Sequence, residues 1–350
     1  MKTYYLQEDL EILANELVKQ NFGGHTILVT GATGLIGSLC IKSIVEYNRK
    51  NEKKIKVIGL ARNKEKVKTV YADELKNHLL EEAEFVYQDI SEKIPDTVEC
   101  DYIIHTANST TSKFFMTNPV EVIESIYTGT KRVLDYATEK KVMGVVYLSS
   151  MEVFGKKVSE ERICESQLGD IDIQDVRSCY SEGKRLAELL CKAYAVEYQL
   201  PVKIARLAQT FGAGVSKTEN RVFAQFARSA IKGEDIILHT SGESVGNYCY
   251  TRDAIKALFL LLKAGKAGEA YTVVNEETTR SIRAMAEMVA ERFSNGKSKV
   301  VFDIPEDNRF GYAPETKIRL SAKKLRKLGW RPEICLEEMY RRMLPDLEER

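Results

Sequence analysis

Short hydrophobic runs alternate along the chain with longer segments in which apolar residues recur every three or four positions. The runs are rich in Val, Ile and Leu and predict buried strands, whereas the periodic segments predict amphipathic helices. Strands that alternate with helices are typical of a parallel sheet covered by helices on both faces. The predicted strands are His25–Thr30, Lys56–Leu60, Glu84–Tyr87, Tyr102–Ile104, Val145–Leu148 and Val202–Leu207.

The first predicted strand leads directly into a glycine-rich turn, Gly31 to Gly37, in which the glycines are spaced G-x-x-G-x-x-G. A helical pattern, Leu35–Tyr47, follows it. This order is the context of a dinucleotide-binding turn, because glycines let the backbone approach a pyrophosphate and the helix N-terminus offers free N–H groups. The alternative is a turn that only lets helix and strand pack closely. The predicted cofactor contacts are Gly31, Thr33, Gly34, Leu35, Ile36 and Gly37.

These patterns predict an α/β fold, with a Rossmann-type doubly wound parallel sheet in residues 1–208. A short helix carrying Leu6, Leu10, Leu13 and Leu17 on one stripe precedes it, and a longer helix runs from Pro119 to about Lys140. Beyond residue 208 the alternation loosens, which predicts a smaller mixed α/β C-terminal substrate lobe over residues 209–350. Residues 251–275 again form a helix and strand pattern and are expected to return to the main sheet.

Tyr180 and Lys184 are one helical turn apart, so they are expected on the same face of a helix. A lysine ammonium beside a phenol favours the ionised form of the phenol. Such a phenolate can take a proton from an alcohol while hydride leaves the same carbon for a nicotinamide. The spacing also arises by chance on amphipathic helices, so its meaning depends on the dinucleotide turn upstream.

Together the two motifs resemble the extended short-chain dehydrogenase/reductase family, which contains nucleotide-sugar epimerases, dehydratases and decarboxylases. Segment 148–155 is similar to the family's Ser-Ser-x-x-Val-Tyr-Gly sequence. Segments 177–188 and 220–226 are similar to those of its UDP-glucuronate decarboxylases. The resemblance implies a catalytic set of Ser150, Tyr180 and Lys184, and it adds Asp89, Ile90 and Ala107 to the predicted cofactor contacts, with Tyr180 and Lys184 also serving there.

Two further catalytic residues are implied by the same resemblance. Glu152 occupies a position that holds glutamate in the decarboxylases and dehydratases, although it can equally be a carboxylate that caps its loop. Dehydratases place an aspartate just before it, where this chain has Met151, so dehydration is disfavoured. Arg319 matches the C-terminal catalytic arginine, but the Arg-x-Pro-Asp sequence around it is absent.

The substrate half of the family pattern is less complete. Gln209 stands where an asparagine contacts substrate, and Gly246 stands where an arginine grips the diphosphate. Arg221 is the nearest cation in the sequence that could replace that arginine. We therefore expect Gln209 and Arg221 to bind substrate, and we expect UDP-sugars to bind weakly unless such a replacement exists.

The end of the second strand bears on the choice of dinucleotide. NAD-binding proteins usually place an acidic residue there, but this chain has Arg62 and Asn63. An arginine can pair with the 2′-phosphate of NADP, or it can lie in solvent as a surface charge. The resemblance implies NAD, the residues leave NADP possible, and both Arg62 and Asn63 are expected to contact the cofactor.

Composition narrows the protein class without identifying the reaction. The 350 residues carry a net charge of +1, with no basic block that would indicate nucleic acid or an anionic membrane. Seven cysteines without a Cys-x-x-Cys pair favour reduced thiols over disulfides or a metal site. No signal sequence is evident, and the longest apolar run, Ala257–Leu262, is too short to span a bilayer. A cytoplasmic protein without a metal is expected.

Three hypotheses follow for function. The first is a redox-neutral, NAD(P)-dependent enzyme that oxidises C4 of a UDP-sugar-like substrate transiently, with decarboxylation or epimerisation. The second is an NADPH-dependent carbonyl reductase of a non-nucleotide substrate, and the third is a dinucleotide-binding protein without turnover. The resemblance also implies a homodimer that pairs helices containing Val122–Ala137 and Ala187–Tyr198.

Overall fold

A computed structural model of the chain describes residues 4–108, 112–156, 158–306 and 315–348. Its strands are β1 (Thr26–Thr30), β2 (Lys56–Ala61), β3 (Ala83–Tyr87), β4 (Tyr102–His105), β5 (Gly144–Ser150), β6 (Val158–Ile163), β7 (Val202–Leu207), β8 (Gln209–Phe211), β9 (Ile236–Leu238), β10 (Val245–Tyr250), β11 (Ala270–Val273), β12 (Asn275–Ser281), β13 (Val300–Phe302) and β14 (Lys317–Leu320). Its helices are α1 (Tyr4–Lys19), α2 (Leu35–Lys50), α3 (Lys64–Val70), α4 (Ala72–Lys76), α5 (Ser112–Thr117), α6 (Pro119–Glu139), α7 (Ser178–Glu197), α8 (Val222–Lys232), α9 (Thr251–Ala264), α10 (Ile282–Phe293), α11 (Lys323–Arg326) and α12 (Leu336–Leu347).

The central sheet contains seven strands in the order β11-β7-β5-β4-β1-β2-β3. Every neighbouring pair in it is parallel. The strand order reverses between β1 and β4, and in open parallel sheets ligands bind at such a reversal, outside the carboxyl ends of the strands. The predicted Rossmann-type sheet is therefore confirmed.

Helices cover both faces of the sheet, because side chains along each strand point alternately to opposite faces. On one face Ile27 and Val29 join a core that includes α1, α2 and α9, and on the other Leu28 joins a core that includes α6 and α7. The predicted leading helix is α1, whose four leucines are buried. None of the helices in the described part of the chain is both long and apolar enough to cross a membrane.

The smaller lobe is built from short sheets packed with α8, α10 and α12. A three-stranded sheet has the order β12-β10-β8, while β13 pairs with β9 and β14 pairs with β6. Helix α9 follows β10, and β11 then lies at the edge of the central sheet beside β7. The chain thus passes from the central sheet into the lobe and back, which places lobe residues beside the carboxyl ends of the parallel strands.

Candidate active site

The glycine turn between β1 and α2 leaves no room for side chains. A Cβ on Gly31, whose φ is +68°, would lie 2.7 Å from Thr106 Oγ1 and 2.9 Å from the Ala107 backbone. A Cβ on Gly37 would lie 2.4 Å from the Gly31 carbonyl oxygen. Gly34 is the N-cap of α2 and provides no capping side chain. The turn therefore presents open backbone at a helix N-terminus, which fits the pyrophosphate of a dinucleotide.

Thr30, at the end of β1, ties this turn to β4. The Thr30 hydroxyl lies 2.7 Å from His105 Nδ1 and accepts the Ala107 backbone N–H at 3.2 Å. The Thr106 hydroxyl donates to the Thr30 carbonyl at 2.7 Å. Burial, together with the charge of Lys184, lowers the pKa of His105 to about 3, so this histidine is neutral at physiological pH. These bonds fix Ala107 beside the glycine turn.

Tyr71, which follows α3, supports the turn from the other side, a role that sequence analysis did not anticipate. Its hydroxyl donates to the Ala32 carbonyl at 2.6 Å, and its fully buried ring lies 5.1 Å from the Phe85 ring. A buried phenol requires such a partner. No local motif marks Tyr71, because its partner is 39 positions away.

Arg62 and Asp89, predicted to contact the cofactor, lie together at the ends of β2 and β3. Arg62 Nη1 is 3.5 Å from Asp89 Oδ2, although the Arg62 side chain is 78% exposed. Burial raises the pKa of Asp89, but hydrogen bonds from Ser91 and the Arg62 charge outweigh it, so the pKa lies below its usual value. Asn63 caps α3 by accepting the Lys66 N–H at 2.9 Å. Ile90 is buried beneath α6, where a Cβ on Gly129 would lie 2.8 Å from its Cγ2.

The structure brings Ser150, Tyr180 and Lys184 together at the carboxyl end of β5. Ser150 is the last residue of β5 and caps a 3₁₀ helix, Met151–Phe154, while its hydroxyl lies near the Tyr180 phenol and favours the ionised form of that phenol. Lys184 Nζ lies 5.8 Å from the Tyr180 ring centroid and donates to the Leu148 carbonyl at 2.6 Å. All three side chains needed for proton transfer from an alcohol are therefore close to one another.

The electrostatics of this set differ from the sequence-based expectation. Burial, and then the negative charge of Glu152, raises the pKa of Tyr180 well above its usual value, whereas the nearby Ser150 hydroxyl and the charges of Arg221 and Arg177 oppose that rise. Burial also lowers the pKa of Lys184 to about 7, against the charge of Glu188. Burial penalises the charged form of both groups, so Lys184 by itself does not hold the phenol ionised.

Glu152 is held by an arginine from the start of α7. Its two carboxylate oxygens accept hydrogen bonds from Arg177 Nη1 at 3.1 Å and Nη2 at 3.4 Å. The backbone N–H of Glu152 donates to the Ser150 hydroxyl at 3.2 Å. A two-point contact of this kind fixes the direction of a carboxylate. Glu152 is thus oriented next to Ser150 and Tyr180. The carboxylate can stabilise its loop through Arg177 and still be available for catalysis, so the two interpretations of Glu152 are compatible.

A buried ion pair lies directly beneath the site, and sequence analysis did not identify it. Arg206, on β7, donates from Nε to Glu188 at 3.0 and 3.1 Å and from Nη2 at 2.7 Å. The Ser149 hydroxyl donates to the same carboxylate at 2.5 Å. Glu188 lies on α7 one turn beyond Lys184, so the pair fixes the face of α7 that carries Tyr180 and Lys184.

The predicted substrate residues lie in the lobe. Gln209 is half-buried at the start of β8, directly across from Tyr248 on β10. Arg221 precedes α8 and pairs with Glu219, whose oxygens lie 2.7 and 3.0 Å from the Arg221 guanidinium. The positive charge of Arg221 nevertheless favours the ionised form of the Tyr180 phenol. Arg319 is exposed on β14 opposite Arg162 of β6. Among the described residues, no hydrogen bond or ion pair joins Arg319 to Ser150, Tyr180 or Lys184.

Gly246 has a packing explanation in the structure. A Cβ at this position would lie 2.1 Å from the Tyr248 hydroxyl, so the ring of Tyr248 occupies the space that a side chain at position 246 would need. An arginine cannot be accommodated at position 246 while Tyr248 keeps this orientation.

Asn108 is a further candidate that sequence analysis missed. It follows Ala107, and both polar atoms of its amide are buried without a hydrogen-bond partner in the part of the chain that the structure describes. Buried amides normally have partners, so an unpaired one beside a candidate site indicates a group able to bind a ligand.

Similarity to known proteins extends over most of the chain. The model of the NAD dependent epimerase/dehydratase family matches residues 27–275. UDP-glucuronic acid decarboxylase 6 of Arabidopsis thaliana is 31% identical over 315 residues, covering 89% of this chain and 85% of the relative. UDP-glucuronic acid decarboxylase 1 of Xenopus tropicalis is 28% identical over 316 residues, covering 89% of this chain and 69% of the relative.

Two solved structures show the same fold. UDP-glucose 4-epimerase from Thermotoga maritima has a TM-score of 0.76 at 20% identity and covers 92% of this chain and 98% of its own. A double mutant of the dTDP-glucose 4,6-dehydratase DesIV from Streptomyces venezuelae, crystallised with NAD, has a TM-score of 0.72 at 22% identity. It covers 91% of this chain and 95% of its own.

The buried ion pair beneath the site predicts a large and specific loss of stability. Arg206→Met leaves the Glu188 charge buried without its partner and should lower the free energy of unfolding by about 3–5 kcal/mol. Urea denaturation measures this, with Arg283→Met as the control because Arg283 and Glu287 form an exposed pair that should contribute less than about 1 kcal/mol. A loss for Arg206→Met no larger than that of the control would contradict the assigned role.

Proposed function

The chain belongs to the NAD-dependent epimerase/dehydratase family, and on this basis we propose that it decarboxylates a UDP-glucuronate-like nucleotide sugar through transient oxidation at C4. The observation that carries the proposal is the assembly of Ser150, Tyr180 and Lys184 with Glu152, which Arg177 holds beside them. The similarity to UDP-glucuronic acid decarboxylases over 89% of the chain supports this choice of substrate class. Met151, at the position preceding Glu152, offers no acid for a dehydration.

The family is NAD-dependent, and the residues of the glycine turn fit such a group. We assign the pyrophosphate to the turn from Gly31 to Gly37, the adenosine half to the ends of β2 and β3, and the nicotinamide ribose to Lys184. When bound, NAD supplies the hydride acceptor and donor that makes C4 of the sugar transiently a ketone, which activates the neighbouring carboxylate for loss as carbon dioxide.

Tyr180 is the proposed proton acceptor for the sugar 4-hydroxyl. The nearby Ser150 hydroxyl and the charges of Arg177 and Arg221 favour the phenolate in a site where burial opposes it. Ser150 can also donate to the oxygen of the sugar as negative charge develops there. Because Arg177 orients Glu152, that carboxylate faces the same reacting group and can guide a water or proton to it.

Substrate binding is assigned to the lobe side of the site. The positive charge of Arg221 is close enough to Tyr180 to favour the ionised form of its phenol. The ion pair of Arg221 with Glu219 is only partly buried, so a substrate phosphate or carboxylate can compete with Glu219 for the guanidinium. Gln209 is proposed to contact the sugar. Arg319 is proposed as a catalytic arginine on similarity alone.

Incubation of the purified protein with UDP-glucuronate tests the proposed function. We expect release of carbon dioxide and formation of a UDP-pentose without net accumulation of NADH. A panel of other nucleotide sugars tests epimerisation in the same assay. Consumption of NADPH with a non-nucleotide carbonyl, and no turnover of nucleotide sugars, would instead support the reductase hypothesis.

Tyr180→Phe should abolish turnover and preserve dinucleotide binding. Loss of a general base typically costs about 10²–10⁴-fold in rate, while the glycine turn that binds the cofactor is unchanged. The measurement is kcat together with the NAD dissociation constant, and Tyr198→Phe, an exposed tyrosine at the end of the same helix, is the control. Near-parent kcat in Tyr180→Phe would remove the proposed mechanism.

Arg62→Ala should weaken NADP binding and leave NAD binding nearly unchanged. A charged hydrogen bond to a phosphate contributes about 1.5–3 kcal/mol, roughly tenfold or more in affinity, whereas the exposed pair with Asp89 contributes little. Calorimetry with both dinucleotides measures the ratio, and Lys64→Ala on the same surface is the control. If the ratio of the two dissociation constants is the same as in the parent, Arg62 is only a surface charge.

We also propose that two copies pair through α6 and α7. Val122, Ile126 and Val133 face the sheet, but a second apolar stripe on the same helices is exposed to solvent. A helix that is apolar on two sides is usually buried on both. The exposed residues of this stripe are Val120, Ile123, Tyr127, Leu186, Leu189 and Val196.

Leu189→Glu should convert the dimer to a monomer in sedimentation experiments. The side chain is 65% exposed in the single chain, so a charge is tolerated there unless a second copy covers it. Leu75→Glu, at an exposed leucine on α4, should leave the dimer intact. A monomeric parent at micromolar concentration would contradict the pairing.

A further inference from the structure

Phe115 on α5 is stacked face to face on the ring of Tyr180. The ring centroids are 4.4 Å apart and the ring planes are inclined by only 13°. Phe115 is 1% exposed and Tyr180 is 6% exposed, so the stack excludes solvent from one face of the phenol. Aromatic stacking of this kind holds two rings in a preferred relative orientation.

The phenylalanine is itself held in place from two sides. Its carbonyl oxygen lies 3.7 Å from the thiol of Cys179, the residue immediately before Tyr180. Just beyond it, the Asn118 N–H donates to the Phe114 carbonyl at 2.9 Å, which connects α5 to the start of α6. Phe115 also belongs to the buried cluster that contains Val122 and Tyr180. The ring is therefore a fixed surface rather than a mobile cover.

We propose that Phe115 is a positioning residue for Tyr180: the stacked ring fixes the plane of the phenol, keeps its hydroxyl near Ser150 and excludes water from that face. The inference rests on the proposed role of Tyr180 as proton acceptor. The Phe115 side chain has no polar group with which to bind Ser150 or Lys184, so it would act only through Tyr180.

Several charged groups also shift the pKa of Tyr180, and a test must separate their effects from that of the Phe115 ring. Glu152 of the 3₁₀ helix opposes ionisation of the phenol, while Arg177 before α7 and Arg221 before α8 favour it. Lys184 lies on the same helix as Tyr180, and Tyr147 on β5 is electrostatically linked to it. Burial is nevertheless the largest cause of the raised pKa of Tyr180. Removing the Phe115 ring admits water while these charges stay in place, so the pKa of Tyr180 should fall.

The direct experiment follows the ionisation of Tyr180 by nuclear magnetic resonance. Tyrosine labelled with carbon-13 at Cζ reports phenol ionisation, and Tyr180→Phe identifies the resonance of Tyr180. Because burial raises the pKa of Tyr180 well above its usual value, we compare the resonance at the highest pH at which the protein stays folded. At that pH the Phe115→Leu resonance should lie closer to the phenolate position than the parent resonance does. Phe115→Tyr keeps a stacked ring and should titrate like the parent. Phe114→Leu, a half-buried neighbour on α5, is the matched control and should also leave the titration unchanged.

If Phe115→Leu fails to fold, the variant Phe115→Met and a measurement of kcat test the same role of Phe115. Phe115→Met retains apolar volume without a ring and should show the same lowered titration. With UDP-glucuronate, either variant should lower kcat by about tenfold or more because the phenol is misaligned, and should shift the acid limb of the pH profile of kcat to lower pH. A variant that was only destabilised would lose rate without moving that limb.

The outcomes separate the two proposals. An unchanged Tyr180 titration in both Phe115→Leu and Phe115→Met, or an equal shift in Phe114→Leu, would overturn the positioning role. Absence of turnover by the parent with every nucleotide sugar would overturn the proposed function. The resonance titration needs no substrate, so it decides on Phe115 in either case.

Discussion

The buried pair between Glu188 and Arg206 is the interaction on which the geometry of the site depends. Tyr180, Lys184 and Glu188 follow one another at single-turn spacing on α7, and Glu188 alone of the three is anchored to the sheet by an ion pair. The same carboxylate accepts the hydroxyl of Ser149, the neighbour of Ser150. The Glu188 carboxylate therefore links α7 to both β7 and the end of β5, and the bond from Lys184 to Leu148 adds a second link to β5. Buried pairs of this kind add little net stability but are costly to break.

Burial gives the site its second constraint. The phenol of Tyr180 and the ammonium of Lys184 are both shielded from water, and this disfavours the charged form of each. The surrounding arginines and the Ser150 hydroxyl act against that penalty, while the stacked Phe115 ring contributes to it. Burial therefore favours the neutral phenol of Tyr180, the residue that we propose as the proton acceptor.

Sequence reasoning succeeded where the chemistry is local. The parallel sheet followed from strand and helix periodicities, and the glycine turn was predicted because its spacing is a backbone requirement. Tyr180 and Lys184 share a face because four residues separate them. The contacts that support these groups join distant positions, such as Tyr71 with Ala32 and Glu188 with Arg206, and no periodicity encodes them. The expectation that Lys184 lowers the pKa of Tyr180 left out the opposing effect of burial, because burial is a property of the whole fold. The roles assigned to Arg319 and Gln209 stay predictions.

The most direct test uses UDP-glucuronate carrying deuterium at C4 of the sugar. If C4 is oxidised transiently, this deuterium would leave the carbon as hydride and would return to the same carbon after carbon dioxide is lost. We therefore expect a UDP-pentose that retains deuterium at C4, formed with an equal amount of carbon dioxide and more slowly than from unlabelled substrate in a single turnover, because the C4–D bond must break. A product that has lost the label to solvent, or unreacted substrate in the presence of a protein that binds NAD normally, would contradict the account.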